Sequence, residues 1–389
     1  MIASVSSLAI YLDHHATTPL DPRVLDAMMP YLQGKFGNAS SRSHRFGWEA
    51  EEAVEGARGR VARLLGADPR EIVFTSGATE SNNLAMRGLA ELGRSSGNRI
   101  LISPVEHPSV TDTALHLATR GFVVGRLGVD ALGRVEVPAP AEGTILVSVM
   151  LANNEVGTIQ PVHAIAAASR GAWFHTDATQ GVGKIAFDVK ASPIHTASLT
   201  GHKMGGPKGC GALYVRKGVE LAPLLFGGGQ ERGMRPGTLN VPAIVGLGMA
   251  CDICRREREA EAARVGRLRD LLLTLLRAGL DRVHPNGDPD PTGRLPGNLH
   301  LSFDGVESQD LILSLPDIAF STGAACASGA LEPSPVLMAM GIPPRRARSA
   351  VRFGLGRTTT EQEIRDAAGQ VVGAVNRLRA KGASGRRSG

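Results

Sequence analysis

Aromatic residues are scarce in this sequence, at 4% of 389 residues, and little net positive charge remains outside one end. The formal net charge is +6, but the last thirteen residues contain five of the basic side chains and no acid. A nucleic-acid-binding face needs Lys and Arg clustered on a folded surface, with aromatics where single strands are bound. The sequence therefore predicts no direct nucleic-acid binding, and it predicts a basic, disordered tail over 377–389. The basic residues of this tail are Arg377, Arg379, Lys381, Arg386 and Arg387.

Long apolar runs and cysteines are also scarce. No stretch reaches the ~18 apolar residues of a membrane span, and the N-terminus lacks the basic region of a signal peptide. These absences predict a cytoplasmic protein without a membrane segment. Four cysteines are too few and too irregularly spaced for a disulfide framework. The pair Cys251 and Cys254 lies in a long helical pattern without a second Cys or His pair, so two half-buried helix cysteines are favoured over a redox or metal site.

Strand and helix patterns alternate from about residue 50 to 250, which indicates an α/β architecture with a mostly parallel, buried sheet. A long charged helical pattern follows from about Ala250, and then the strand patterns NLHLSF and AVRFGLG indicate a smaller α+β unit. The length also exceeds what one core usually organises. We therefore predict a large domain over 15–255 and a smaller domain formed by 1–14 and 256–376.

Nucleotide-binding fingerprints are missing, since neither G-x-x-x-x-G-K-[ST] nor a strand-to-helix G-x-G-x-x-G occurs. A strand-to-helix junction does occur at Ser76–Ser81, where helix N–H groups suit one phosphate, although an ordinary helix cap explains this feature alone equally well. Asp177 and Lys203 each close a predicted strand at the edge where ligands bind in such sheets. Together these features provide the imine-forming amine, the pyridinium partner and the phosphate site that pyridoxal 5'-phosphate (PLP) requires.

Nine segments in a fixed order resemble the cysteine desulfurases of the NifS/IscS type, within the class V aminotransferases. They include YLDHHATTP, FTSGATESNNLA, EHPSV, NNEVGTIQP, HTDATQGVGK, TGHKMGGPKGCGALYV, GGGQERGMRPGT, STGAACASGALEPS and RFGLGRTTTEQEI. The resemblance extends from Tyr11 to Ile364. It implies the fold type I of PLP-dependent transferases, in which a mostly parallel, seven-stranded type of sheet lies between helices in the large domain.

The resemblance also implies a role for each matching residue. Lys203 corresponds to the lysine that forms the Schiff base, Asp177 to the partner of the ring nitrogen, and His107 to the imidazole that stacks on the ring and moves protons. Asn154 and Gln180 correspond to contacts of the ring substituents. The implied phosphate ligands are Ala78, Thr79, Thr200 and His202, together with Thr238 from a neighbouring subunit, so a homodimer is expected. The implied substrate ligands are Arg352, which binds the carboxylate, and Asn38, which assists it.

Cys326 distinguishes this interpretation from other PLP chemistry, because it lies among small residues, which suits an exposed thiol. The resemblance implies that sulfur passes from L-cysteine to Cys326, that alanine leaves, and that the persulfide goes to an acceptor such as an iron–sulfur scaffold protein or a thio-modification enzyme. Transamination or selenocysteine cleavage on the same scaffold is one alternative. The other is a non-catalytic protein that retains the fold.

Overall fold

A computed structural model describes residues 9–322 and 333–385 of the chain. Its strands are, in chain order, β1 (Ile10–Tyr11), β2 (Ile72–Thr75), β3 (Arg99–Ile102), β4 (Val123–Arg126), β5 (Thr144–Ser148), β6 (Trp173–Asp177), β7 (Thr196–Thr200), β8 (Gly211–Val215), β9 (Val283–Pro285), β10 (Asn298–Phe303), β11 (Ile318–Ala319) and β12 (Ala350–Gly354).

The α-helices are, in chain order, α1 (Pro22–Leu32), α2 (Arg45–Leu65), α3 (Ala78–Gly93), α4 (Pro108–Thr119), α5 (Val162–Ala168), α6 (Val241–Gly279), α7 (Ser308–Leu313), α8 (Pro335–Ala339), α9 (Pro344–Ala347) and α10 (Glu361–Gly385). Short 3-10 turns occur at Pro69–Glu71, Gly201–Lys203 and Gln230–Gly233.

A seven-stranded sheet forms the centre of the molecule, in the order β2-β8-β7-β6-β5-β3-β4. Only β8 runs antiparallel to its neighbours, and the other pairings are parallel. Residues of β5, β7 and β8 are buried throughout, as expected for strands covered on both faces. The predicted α/β class and the mostly parallel sheet are confirmed.

Helices cover both faces of this sheet because successive strand residues point to opposite sides. Helices α1 and α2 and the first half of α6 pack with one set of strand residues, which includes Phe74 and Val147. Helices α3 and α4 pack with the other set, which includes Val73 and Leu146. The helices thereby leave the carboxyl ends of the parallel strands open.

A second hydrophobic core surrounds a three-stranded antiparallel sheet in the order β12-β10-β9 and the parallel pair β1-β11. Leu272 and Leu276 of α6 and Val371 of α10 are buried there. Helix α6 therefore contributes its first half to the large core and its second half to the smaller one. The domain boundary predicted near residue 255 falls inside this continuous helix, and the division stays a prediction.

The predicted disordered tail is wrong for residues 377–385, because α10 includes them. Leu378 packs against the smaller core one turn after Val375. Arg379 donates from Nε to the Asp304 carbonyl at 2.9 Å and from Nη1 to Asp281 Oδ1 at 2.7 Å. The helical spacing of Val371, Val375 and Leu378 is the signal that the basic composition concealed. Residues 386–389 lie outside the described residues.

Three cysteines, Cys210, Cys251 and Cys254, are buried and unpaired. Burial raises the pKa of the Cys210 thiol to about 12 and that of Cys254 to about 11, so both are poor nucleophiles. The two helix cysteines are fully buried rather than half-buried. Within 9–322 and 333–385, no group of three metal-ligating side chains occurs and no helix has both the length and the apolarity needed to cross a bilayer.

Candidate active site

A cleft of about 1030 Å³ opens at the carboxyl ends of β6 and β7. Its lining brings together residues that are far apart in the sequence and that the motifs had singled out. Ten of the predicted site residues line it: Ala78, Thr79, His107, Asn154, Asp177, Gln180, Thr200, His202, Lys203 and Arg352. The parallel topology explains this convergence, because the loops that follow parallel strands gather at one edge.

Lys203 lies at the end of the 3-10 turn that follows β7. Its Nζ donates to the carbonyl oxygens of His15 at 2.5 Å and Ala16 at 2.6 Å. Burial, and after it the positive charge of Arg352, lowers the pKa of Lys203 to about 8. About a tenth of this amine is therefore neutral and nucleophilic at pH 7, and about half at pH 8.

Asp177 ends β6 and is 4% exposed. Its Oδ2 accepts from Asn82 Nδ2 at 2.8 Å, and its Oδ1 accepts from the Thr179 backbone N–H at 3.0 Å and lies 3.3 Å from Ser198 Oγ. These donors are all uncharged. Among the described residues no Lys or Arg forms an ion pair with Asp177, so its negative charge remains available to a cationic ligand in the cleft.

His107 caps the N-terminus of α4. Its Nδ1 lies 2.8 Å from Ser109 Oγ and accepts from the Ser109 backbone N–H at 3.1 Å. Burial lowers the pKa of His107, although the negative charge of Asp177 acts in the opposite direction. The imidazole is therefore predominantly neutral at pH 7.

Helix α3 begins at the cleft without a side-chain cap, since its N-cap residue is Gly77. The first N–H groups of the helix thus point into the cleft without a side-chain acceptor, which is a favourable position for one phosphate group. Glycine is also required at position 211, at the start of the neighbouring strand β8, because a Cβ there would lie 2.7 Å from Gly77 Cα. The carboxylate of Glu80 in the same turn is paired with Arg235 at 2.7 Å, which limits its repulsion of an anion.

Thr200 and His202 lie beside this helix end. Thr200 Oγ1 donates to the Cys210 carbonyl at 3.2 Å, and His202 Nδ1 is 3.1 Å from Thr17 Oγ1. Burial, and after it the charge of Lys203, lowers the pKa of His202 to about 4. A neutral imidazole and a hydroxyl therefore add two hydrogen-bonding groups to the N–H groups of α3.

Arg352 is a buried residue of β12 whose guanidinium reaches the opposite wall of the cleft. Its Nη1 donates to the Asn154 carbonyl at 2.7 Å and its Nη2 to Asp13 Oδ1 at 2.8 Å. Its Nε has no hydrogen-bond partner within the part of the chain that the structure describes. The side chain is thus fixed in position and retains a donor for a carboxylate.

Two of the described site residues are not brought into this cleft. Asn38 and Thr238 are exposed and do not line it. Cys326 lies outside the described residues. Ser321 before it and Pro335 after it both line the cleft, so the chain enters and leaves the undescribed segment at the cleft wall.

Sequence reasoning missed several residues that hold the site together. Asn82 and Ser198 fix Asp177, Ser109 contacts His107, and Asp13 holds Arg352. The available signals were weak: Asn82 follows Ala78 by one helical turn, and the other three lie within or beside motifs that were interpreted for their neighbours.

The family model for class V aminotransferases matches residues 10–366. The chain belongs to this family. Its members generally use PLP, and the resemblance inferred from the motifs is confirmed.

Similar proteins point to one branch of the family. The cysteine desulfurase IscS of Rickettsia peacockii (strain Rustic) is 50% identical over 382 residues, which cover 96% of this chain and 93% of that protein. A solved NifS-like protein has a TM-score of 0.87 at 37% identity and covers 95% of this chain and 99% of its own. The solved structure described as SspA in complex with cysteine has a TM-score of 0.78 at 34% identity and covers 90% and 100%, respectively. The chain therefore belongs with the IscS and NifS-like cysteine desulfurases.

Proposed function

We propose that this protein is a PLP-dependent cysteine desulfurase that removes sulfur from L-cysteine and passes it on from Cys326. The observation that carries the proposal is the convergence, in one cleft, of a lysine with a lowered pKa, a buried carboxylate that has no cationic partner among the described residues, and an uncapped helix N-terminus. Similarity to desulfurases over nearly the whole chain supports the same reaction. The basis for a cytoplasmic location remains the sequence alone.

The residues of the cleft fit PLP. Lys203 would attach it through Nζ, Asp177 would pair with the protonated ring nitrogen, and His107 would lie against the ring. Contacts to the ring substituents would come from Asn154 and Gln180, and the phosphate would be held by Ala78, Thr79, Thr200 and His202. The unpartnered Oγ1 of Thr179, a buried atom that also lines the cleft, is a further group that a ligand would satisfy. When bound, PLP supplies an electron-withdrawing ring that accepts the electron pair released at the Cα of an amino acid.

The protein's own residues would provide binding and proton transfer. Arg352 would bind the substrate carboxylate with its free Nε–H and one Nη–H, and Asn38 remains a proposed helper. Lys203 Nζ would remove the Cα proton, since its lowered pKa allows the neutral amine near pH 8. His107 would donate or accept a hydrogen bond through the nitrogen of its own imidazole that faces the cleft.

Sulfur transfer is proposed to use the Cys326 thiolate. Cys326 is the fifth residue after Ser321 at the cleft wall, and five extended residues span at most about 18 Å. The thiolate would attack the substrate sulfur and form an S–S bond, while the C–S bond breaks and its electron pair passes to the substrate carbon. That carbon then takes a proton, alanine leaves, and Cys326 retains a persulfide for an acceptor protein.

A homodimer is proposed from the exposed surface around residues 36–48. Phe36, Phe46 and Trp48 are 73%, 53% and 55% exposed, and the first two rings stack at 5.6 Å. Such a patch of aromatic residues usually marks an interface. Gln230 Nε2 is 3.5 Å from Ser40 Oγ, which places the loop carrying Thr238 beside the same surface. A second copy that covers this patch would bring Thr238 to the partner's phosphate site.

The test is a product analysis with cysteine and a reductant. We expect sulfide and alanine in equal amounts, and we expect Cys326→Ala to lose this turnover while keeping the visible cofactor band. Cys251→Ala is the matched control, because burial raises the pKa of this thiol well above its ordinary value. Lys203→Ala is expected to lose the cofactor band. A keto acid together with pyridoxamine phosphate would establish transamination instead, and a protein that takes up no PLP would refute the proposal.

A further inference from the structure

A chain of hydrogen bonds links Asp177 to His107 beneath the cleft. Asn82 Nδ2 donates both to Asp177 Oδ2 and to Ser109 Oγ, each at 2.8 Å. Ser109 Oγ in turn lies 2.8 Å from His107 Nδ1. Asn82 is fully buried and Ser109 is 9% exposed. Two side chains expected to contact the cofactor are thus joined through two residues that carry no charge.

The orientation of the Asn82 amide follows from its partners. An ionised carboxylate only accepts hydrogen bonds, so the atom facing Asp177 must be the amide nitrogen. The amide oxygen then accepts from Ser198 Oγ at 2.5 Å and from His175 Nε2 at 3.0 Å. Burial lowers the pKa of His175 to about 4, so this imidazole is neutral, donates from Nε2 and accepts from Thr196 Oγ1 at Nδ1. All the hydrogen-bonding positions of Asn82 are therefore used.

The hydrogen-bond partners of His107 likewise determine which of its two ring nitrogens carries the proton. The backbone N–H of Ser109 can only donate, so His107 Nδ1 must present its lone pair. Ser109 Oγ accepts from Asn82 and keeps its own hydrogen to donate to the same nitrogen. His107 is consequently a neutral imidazole with its proton on Nε2, which is the ring nitrogen left for the cleft.

We propose that Asn82 and Ser109 are positioning residues that hold His107 in the neutral Nε2–H form and thereby keep Asp177 free for the cofactor. An imidazolium at position 107 would compete for the carboxylate that the ring nitrogen needs. With the two residues in place, the cleft instead has an uncharged donor on one side and an uncompensated carboxylate on the other. The catalytic consequence rests on the proposed function, whereas the position of the proton does not.

Some charged groups around His107 raise its pKa and others lower it. Asp177 on β6 and Asp112 on the same helix favour the imidazolium, and Lys203 after β7 disfavours it. The hydrogen bonds from Ser109 to Nδ1 oppose the two carboxylates, because protonation of Nδ1 would break them. Asn82 donates to Ser109 Oγ and so directs the hydroxyl hydrogen of Ser109 to Nδ1. Without Asn82 the hydroxyl can rotate and accept a hydrogen bond from a protonated Nδ1, so the balance shifts toward the charged form.

The test is nitrogen-15 NMR of the full-length holoenzyme with labelled histidine, with His107 assigned by comparison with His107→Gln. The wild-type spectrum should show the Nε2–H form of His107 at neutral pH. In Asn82→Ala, loss of one hydrogen-bond donor should change the ratio of forms roughly fivefold toward Nδ1 protonation, and His107 should titrate at higher pH. Asn83→Ala is the matched control: its side chain donates to Thr79 O on the exposed side of the same helix and should leave His107 unchanged.

Ser109→Ala provides an independent variant with the same expectation. It removes the hydroxyl that donates to the unprotonated Nδ1 while keeping the backbone N–H, so His107 should titrate at higher pH than in the wild type, and Ser109→Thr should restore the wild-type titration. If Asn82→Ala and Ser109→Ala both leave the His107 spectrum unchanged, or if wild-type His107 carries its proton on Nδ1, the proposal is overturned. A protein that releases no sulfide but shows the expected spectra would refute the proposed function alone.

Discussion

Replacing Glu231 by glutamine tests how the loop that carries Thr238 is held against the central sheet. Glu231 forms a two-fold ion pair with Arg58, with Nη1–Oε2 at 2.9 Å and Nη2–Oε1 at 2.7 Å. Both residues are buried, and Glu231 Oε2 also accepts from the Phe74 backbone N–H at 2.8 Å. Glu231 has a φ of 48°, an unfavourable conformation that these contacts hold in place.

Glu231→Gln removes the buried partner of the Arg58 charge and leaves the exposed Glu55 carboxylate as its ion-pair partner. Breaking a buried pair typically costs about 3–5 kcal/mol of unfolding free energy. Glu55→Gln is the matched control. Glu55 contacts the same guanidinium at 2.9 Å but its side chain is 56% exposed, so its loss should cost about 1 kcal/mol or less. Guanidinium chloride unfolding followed by circular dichroism measures both changes.

PLP release provides a second measurement of how the loop is held, because Thr238 is proposed to complete the phosphate site of a partner subunit. Glu231→Gln should therefore release PLP faster on dilution than Glu55→Gln does. Equal unfolding midpoints for the two variants would refute the reasoning about the buried pair. Different midpoints with equal cofactor release would instead refute the link between this loop and the phosphate site.

Three further predictions concern the cleft. Arg352→Lys should lower kcat/KM for cysteine at least about tenfold while keeping the visible band, because lysine cannot reproduce the forked contacts; steady-state kinetics with an unchanged spectrum would confirm this. The rate at which the apoprotein takes up PLP should rise with pH up to about 8 and then level off, since only the neutral Lys203 amine reacts; a stopped-flow rate independent of pH between 6 and 9 would contradict it. Gly211→Ala should weaken PLP binding measured by fluorescence titration, because its Cβ would lie 2.7 Å from Gly77 Cα, whereas Gly59→Ala, with nothing within 4 Å, should leave binding unchanged.

The sequence was most informative where local pattern and chemistry coincide. Buried strands that end in Asp177 or lead into Lys203 predicted both the sheet and the edge at which the cleft forms. The uncapped start of α3 was visible as a glycine between a strand and a helix. Parallel topology then requires these features to meet, so their convergence followed from general rules.

Contacts between elements that are far apart in the sequence could not be predicted from these local patterns. Asn82 reaches Asp177 because α3 packs across β6 and β7, and the orientation of one helix on a sheet is a property of the whole core. Asp13 and Arg352 pair across 339 residues for the same reason. The end of α10 was misjudged because basic composition outweighed the helical spacing of Leu378 with the buried residues before it.

The 39-residue helix α6 has a mechanical consequence for the molecule as a whole. Helix α6 contributes residues to both hydrophobic cores. Its only proline lies in the first turn, so the helix has no proline kink at which one core could move independently of the other. Heating should accordingly melt the two cores in a single transition, and proteases should find no early cleavage point around residues 255–260. Any rearrangement that admits substrate has to occur in the loops bordering the cleft, while α6 keeps its position.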